Sequence, residues 1–83
     1  MLAKPEPTYT EEARRHGTTG TVVLRLVFGE DGNVHAIIPL ARLPNGLTTQ
    51  SIRAARAIKF IPATKDGKPV SVWMQVEYNF NLY

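Results

Sequence analysis

The chain has 83 residues, no cysteine and a formal net charge of +3, from ten Lys and Arg against seven Asp and Glu. That length suits one domain with a thin core, since a domain of this size buries only about 60% of the surface its unfolded chain exposes. A disulfide framework, a cysteine-bearing zinc site and a thiol nucleophile are excluded, the scattered positive charge makes no nucleic-acid-reading patch, and no apolar run approaches the ~20 residues of a membrane span.

Residues 1–8 (MLAKPEPT) carry two of the six prolines and read as the end of a proline-containing linker, leaving 9–83 as the domain. The start has no apolar signal-peptide core, which fits either a cytoplasmic protein or a piece of a longer one. Thr10 is placed to cap a short helix at about Glu11–His16. Glu11 and Glu12 suit its positive end, and Gly17 can stop it. Gly20 opens a strand, Thr21–Phe28, with Val22, Leu24, Leu26 and Phe28 on one face and Arg25 marking the wetter one. Gly29-Glu30-Asp31-Gly32-Asn33 supplies a tight connection. Asn33–Leu40 returns, and alternation puts Val34, Ala36, Ile38 and Leu40 on the core face. Pro39 makes this an edge strand or a strand that stops there.

Ala41–Gly46 is a loop fixed by Pro44-Asn45-Gly46, after which Thr48 or Thr49 is expected to cap a helix over about Thr49–Lys59. Ile52, Ala55 and Ile58 recur on one side of it, Arg53, Arg56 and Lys59 on another, and Pro62 ends it. Lys65-Asp66-Gly67-Lys68 is a turn. Val70–Tyr83 then alternates throughout, apolar at Val72, Met74, Val76, Tyr78, Phe80 and Leu82, as a half-buried antiparallel strand does.

The expected fold is α+β, a two-layer sandwich in the order α-β-β-α-β. The first two strands form a hairpin, and pairing the third with the first gives a three-stranded antiparallel sheet of order 2-1-3. Two helices cover one face and the other stays open. The expected core is Val22, Leu24, Leu26, Val34, Ile38, Ile52, Ile58, Val72, Met74, Val76 and Phe80.

His16 and His35 stand apart without metal-binding spacing, and the acidic residues fall in turns or at a helix start. The sequence therefore predicts no enzyme, no metal and no cofactor. The Arg53/Arg56/Lys59 row is a solvated helix face or a contact for an acidic partner. Trp73 is a contact residue on the open face or packs under the N-terminal tail. The last strand is the main candidate site. It lies at an edge, and its run contains none of the prolines or lysines that usually blunt edges. Such an edge can accept a partner strand, unless another element covers it.

The run from Pro7 to Tyr83 resembles the TonB C-terminal domain. The matching pieces are Pro7-x-Tyr9, Ala13, Gly17-x-x-Gly20-Thr21-Val22, Asp31-Gly32-Asn33-Val34, Ala54-Ala55, Phe60-x-Pro62-Ala63, Asp66-Gly67-Lys68-Pro69-Val70 and Tyr78-x-Phe80-x-Leu82. It departs from the family at Thr10, where Tyr-Pro is common, and at Thr48 or Thr49, where an Asp is. The resemblance implies a periplasmic peptide-binding domain whose parent is anchored in the inner membrane and engages an ExbB–ExbD-type motor. The domain would capture the TonB box of an outer-membrane transporter by strand addition and transmit force for uptake. The implied contact residues are Tyr9, Ser71, Val72, Trp73, Met74, Gln75, Val76, Glu77 and Asn79. The alternative is a self-associating envelope module of a sensor or other membrane protein, dimerising through the last strand.

Overall fold

The structure, a computed structural model, describes residues 2–82. In chain order its elements are α1 (Glu11–Arg15), β1 (Gly20–Phe28), β2 (Val34–Ala41), α2 (Leu47–Arg56), β3 (Ala63–Lys65), β4 (Lys68–Val70) and β5 (Val72–Phe80). Thr10 caps α1 as expected, its hydroxyl accepting from the Ala13 N–H at 3.1 Å. Gly17, at φ 65°, lets the chain turn out while the Thr18 N–H reaches back to the Ala13 carbonyl at 2.9 Å.

The main sheet is antiparallel with order β2-β1-β5, the expected 2-1-3 arrangement. Both helices feed its single core. Ala13 of α1 and Leu47, Ala54 and Ala55 of α2 are buried with Val22, Leu24, Leu26, Phe28, Val76, Tyr78 and Phe80. Ile58 and Phe60, past the end of α2, join them, and Phe60 stacks on Phe28 with ring centroids 4.3 Å apart.

The two ladders of β1 differ in regularity. Against β5 the register runs unbroken from Gly20↔Phe80 to Phe28↔Val72. Against β2 it shifts twice. Between Arg25↔Ile38 and Val27↔His35, the pair Ala36-Ile37 faces Leu26 alone, and Ala36 takes φ 51°. Leu40 is the second extra residue, between Pro39 and Ala41. A bulge reverses the alternation beyond it. That reversal corrects the expected core. Ile37 packs against it, whereas Ile38 and Leu40 are 46% and 55% exposed. Met74 is also outside the core, at 40% exposure, because α2 packs over β1 and β2 and leaves that part of the edge strand uncovered.

The second helix also differs from its expected bounds. It starts at Leu47 behind Gly46 at φ 80°, with no side-chain cap. Thr48 does not cap it, because its hydroxyl is committed to Leu43, donating to the carbonyl at 3.0 Å and accepting from the N–H at 2.9 Å. Thr49 lies inside the helix and makes no cap bond. The helix stops before Lys59, well short of Pro62, where the chain pairs with the N-terminal segment instead. The Lys59 N–H donates to the Ala3 carbonyl at 2.8 Å. After it, Asp66 and Gly67, at φ 53° and 78°, form a two-residue turn that zips β3 and β4 into a separate small hairpin. Its three-residue arms are too short to show alternation, so the order is α-β-β-α-β-β-β. The expected last strand, Val70–Tyr83, narrows to Val72–Phe80, and Tyr83 lies outside the described residues.

Two strains in this scaffold are testable. Ala36 is exposed and in the left-handed region, so Ala36→Gly should raise stability by up to about 1 kcal/mol in urea denaturation, the relief of the φ strain exceeding glycine's entropy cost. The Tyr78 hydroxyl is buried without a hydrogen-bond partner among the described residues. Burial, and then the Glu6 carboxylate, hold that phenol above its ordinary pKa, so it stays neutral. Tyr78→Phe should therefore be neutral to stabilising, by about 1 kcal/mol in the same assay.

Candidate functional site

Residue parity in β1 determines which backbone groups the sheet exposes. The Gly29 N–H donates to the Asn33 carbonyl, toward the β2 side. Both backbone groups of an antiparallel residue point the same way, and the direction alternates along the strand. Odd residues of β1 therefore face β2 and even ones face β5. Through the register Leu24↔Val76 the even residues of β5 bond inward, and Trp73, Gln75, Glu77 and Asn79 turn their N–H and C=O groups outward. An independent contact agrees, since the Lys4 ammonium donates to the Glu77 carbonyl at 2.9 Å.

The two edges of the sheet are not alike. On β2, Pro39 pairs with Leu24, an inward-to-β5 residue, so the missing proline N–H falls on the outer side. Two bulges further break that edge. On β5 the outer side carries no proline, no lysine and no register shift over its nine residues.

The expected site residues separate by this geometry. Trp73, Gln75 and Glu77 combine outward backbone groups with exposed side chains on the open face. Trp73 is 50% exposed, and the N-terminal tail does not cover it. The Arg25 guanidinium lies over its ring instead, 4.8 Å from the centroid. Asn79 also faces outward, but its side-chain oxygen accepts from the Thr21 hydroxyl at 2.7 Å. Val72, Met74 and Val76 bond toward β1, and the Val76 side chain is buried. Ser71 lies just before the strand, its hydroxyl accepting from the Glu30 N–H at 3.0 Å. Tyr9 stands at the far end, edge-on to Phe80 at 5.5 Å, with its hydroxyl donating to the Thr18 carbonyl.

Other candidates are dispersed. His16 ends α1, and His35 contacts Asp31 at 2.9 Å in the hairpin turn. The Asn33 N–H, and then His35, hold the Asp31 carboxyl below its ordinary pKa. Arg53, Arg56 and Lys59 are exposed on or after α2. Two residues that sequence reasoning did not assign to the site stand beside it, Lys4 and Arg25. A lone lysine in a proline-flanked tail gave no signal. Arg25 was legible as a polar residue on the open face, but its contact with Trp73 depends on strand register.

No helix among the described residues is long and apolar enough to cross a membrane. The family model described as Gram-negative bacterial TonB protein C-terminal matches residues 5–82. No curated protein matches the chain.

Proposed function

The chain belongs to the family of Gram-negative bacterial TonB protein C-terminal domains, and from that premise we propose that it is a force-transmitting peptide-binding domain. The family is one of periplasmic, non-enzymatic energy-transducer domains that interact with outer-membrane transporters. In this reading the β5 edge captures the TonB box of such a transporter as an added strand. The parent protein is anchored in the inner membrane through a segment before residue 1 and is driven there by an ExbB–ExbD-type motor. Residues 1–8 are the end of the linker that carries the pull.

The observation that carries the proposal is the asymmetry of the edges. The β5 side offers a regular row of outward N–H and C=O groups, whereas Pro39 and two bulges blunt the β2 side. Main-chain hydrogen bonds then supply most of the affinity, and side chains at alternate positions tune it. One ammonium already sits on this row, Lys4 on the Glu77 carbonyl, and an incoming strand displaces it to complete its ladder. Because Lys4 is exposed there, the exchange of one polar contact for another costs little.

A chemical-shift titration with TonB-box peptides tests this. Shifts should concentrate on the amides of residues 73, 75, 77 and 79. Gln75→Pro removes an outward donor and leaves the inner ladder intact, so the domain should remain folded and lose peptide binding by at least about tenfold. Val76→Pro strikes the ladder with β1 and should unfold the domain. Unchanged binding by a folded Gln75→Pro protein would place the docking surface elsewhere. Peptide-independent, concentration-dependent shifts on the same amides would favour strand-mediated dimerisation.

A further inference from the structure

Arg25 sits in the middle of the open face, on the central strand, between Ile38 of β2 and Gln75 of β5. It is exposed and in no ion pair among the described residues. Its guanidinium leans from β1 toward β5, over the ring of Trp73, the diagonal neighbour on that strand. Arg25, Leu40, Trp73, Met74 and Gln75 line a shallow depression of about 210 Å³. Its walls mix apolar and polar surface, and its charged group is a single cation that lies over an indole. Two residues along the same face of β5 stands Glu77, opposite Val23.

We propose that Arg25, positioned by Trp73, selects the partner segment by its charge pattern: a carboxylate side chain at the residue paired with Gln75, and none at the residue paired with Glu77. This rests on the strand-addition reading. Directly paired residues put their side chains on the same face, with Cβ atoms about 5 Å apart. A residue paired with Gln75 therefore lies two strand spacings, about 10 Å, from Arg25. A guanidinium already leaning toward β5 and a carboxylate reaching inward close that gap from opposite sides. The Trp73 and Leu40 side chains then flank the pair and exclude part of its water, which strengthens the attraction. At the next position on the same face, Glu77 repels an acid and accepts a neutral or basic residue. The net charge of +3 adds a weak general pull on an acidic segment. Charge pattern thus sets register along an edge whose backbone hydrogen bonds alone would allow a strand to slide.

The test uses three synthetic seven-residue peptides of alternating Thr and Val that differ at the central residue, Glu, Gln or Lys. Binding is followed by the β5 amide shifts and by the emission of Trp73, the one tryptophan in the chain. The Glu peptide should bind about three- to tenfold more tightly than the Gln peptide, with Lys weakest, and the gap should shrink as salt rises. In Arg25→Gln the Glu and Gln peptides should bind alike, and Arg25→Glu should reverse the order in favour of Lys. Equal binding of Glu and Gln peptides to the unaltered domain overturns the charge selection while leaving strand addition standing. A Glu preference that survives Arg25→Gln overturns it too and shifts the source to another cation. If no peptide moves the β5 amides, strand addition fails and this inference falls with it.

Discussion

The central strand β1 hydrogen-bonds to both neighbours, and the parity of its residues decides what each edge of the sheet presents. Even residues are spent on β5 through an unbroken ladder, and odd residues on β2 through a ladder with two shifts. The side chains follow the same parity. Even positions of β1 bury Val22, Leu24, Leu26 and Phe28 under the helices, and odd positions put Arg25 on the open face. Core and candidate site therefore rest on one alternation, and a slip of one residue would invert both.

This parity gives the two edges opposite characters. On β2 the extra residues Ala36 and Leu40 twist the strand, and Pro39 takes a donor off its outer side. On β5 the outer row stays regular. Unguarded edges invite indiscriminate pairing, which is why folded proteins usually blunt them. Here one edge is blunted and the other is crossed by a single ammonium from the N-terminal segment. In the strand-addition proposal that difference directs a partner to one side of the sheet, and the side chains of the open face choose among extended segments.

Much of this was legible in the sequence, because long alternating runs state both their strand character and their buried face. Thr21–Phe28 and the part of the last strand from Val76 to Phe80 did so, and the unbroken pairing between β1 and β5 followed. Ala36, Ile38 and Leu40 are exposed rather than on the core face, for one reason. A bulge carries no signature in a run of branched residues, and Ala36 gave no sign of the positive φ that reverses the faces. The expected helix omits Leu47 because the Pro44-Asn45-Gly46 turn feeds straight into α2 without a side-chain cap. The candidate site was half legible. The edge and Trp73 could be read from one strand, whereas Lys4 and Arg25 reach it through contacts between distant parts of the chain.

The N-terminal segment joins the domain at two places that bear on force. Its backbone pairs with Lys59 just past α2, and its Lys4 side chain reaches the β5 edge and lies over the Tyr78 ring, 4.7 Å from the centroid. In the proposed function, tension enters through this segment and leaves through a strand docked on β5. The weak attachments at Leu2–Lys4, a few exposed hydrogen bonds, yield first. The chain is then held at Tyr9, whose ring packs on Phe80 and whose hydroxyl bonds the Thr18 carbonyl. From there the load passes into Phe80 of β5 and along the nine-residue ladder with β1, the most regular hydrogen-bonded unit of the fold. The path runs from the tail to the docking strand without crossing the bulged side of the sheet. The irregularities of β2 can therefore shield an edge without weakening the element that bears the load.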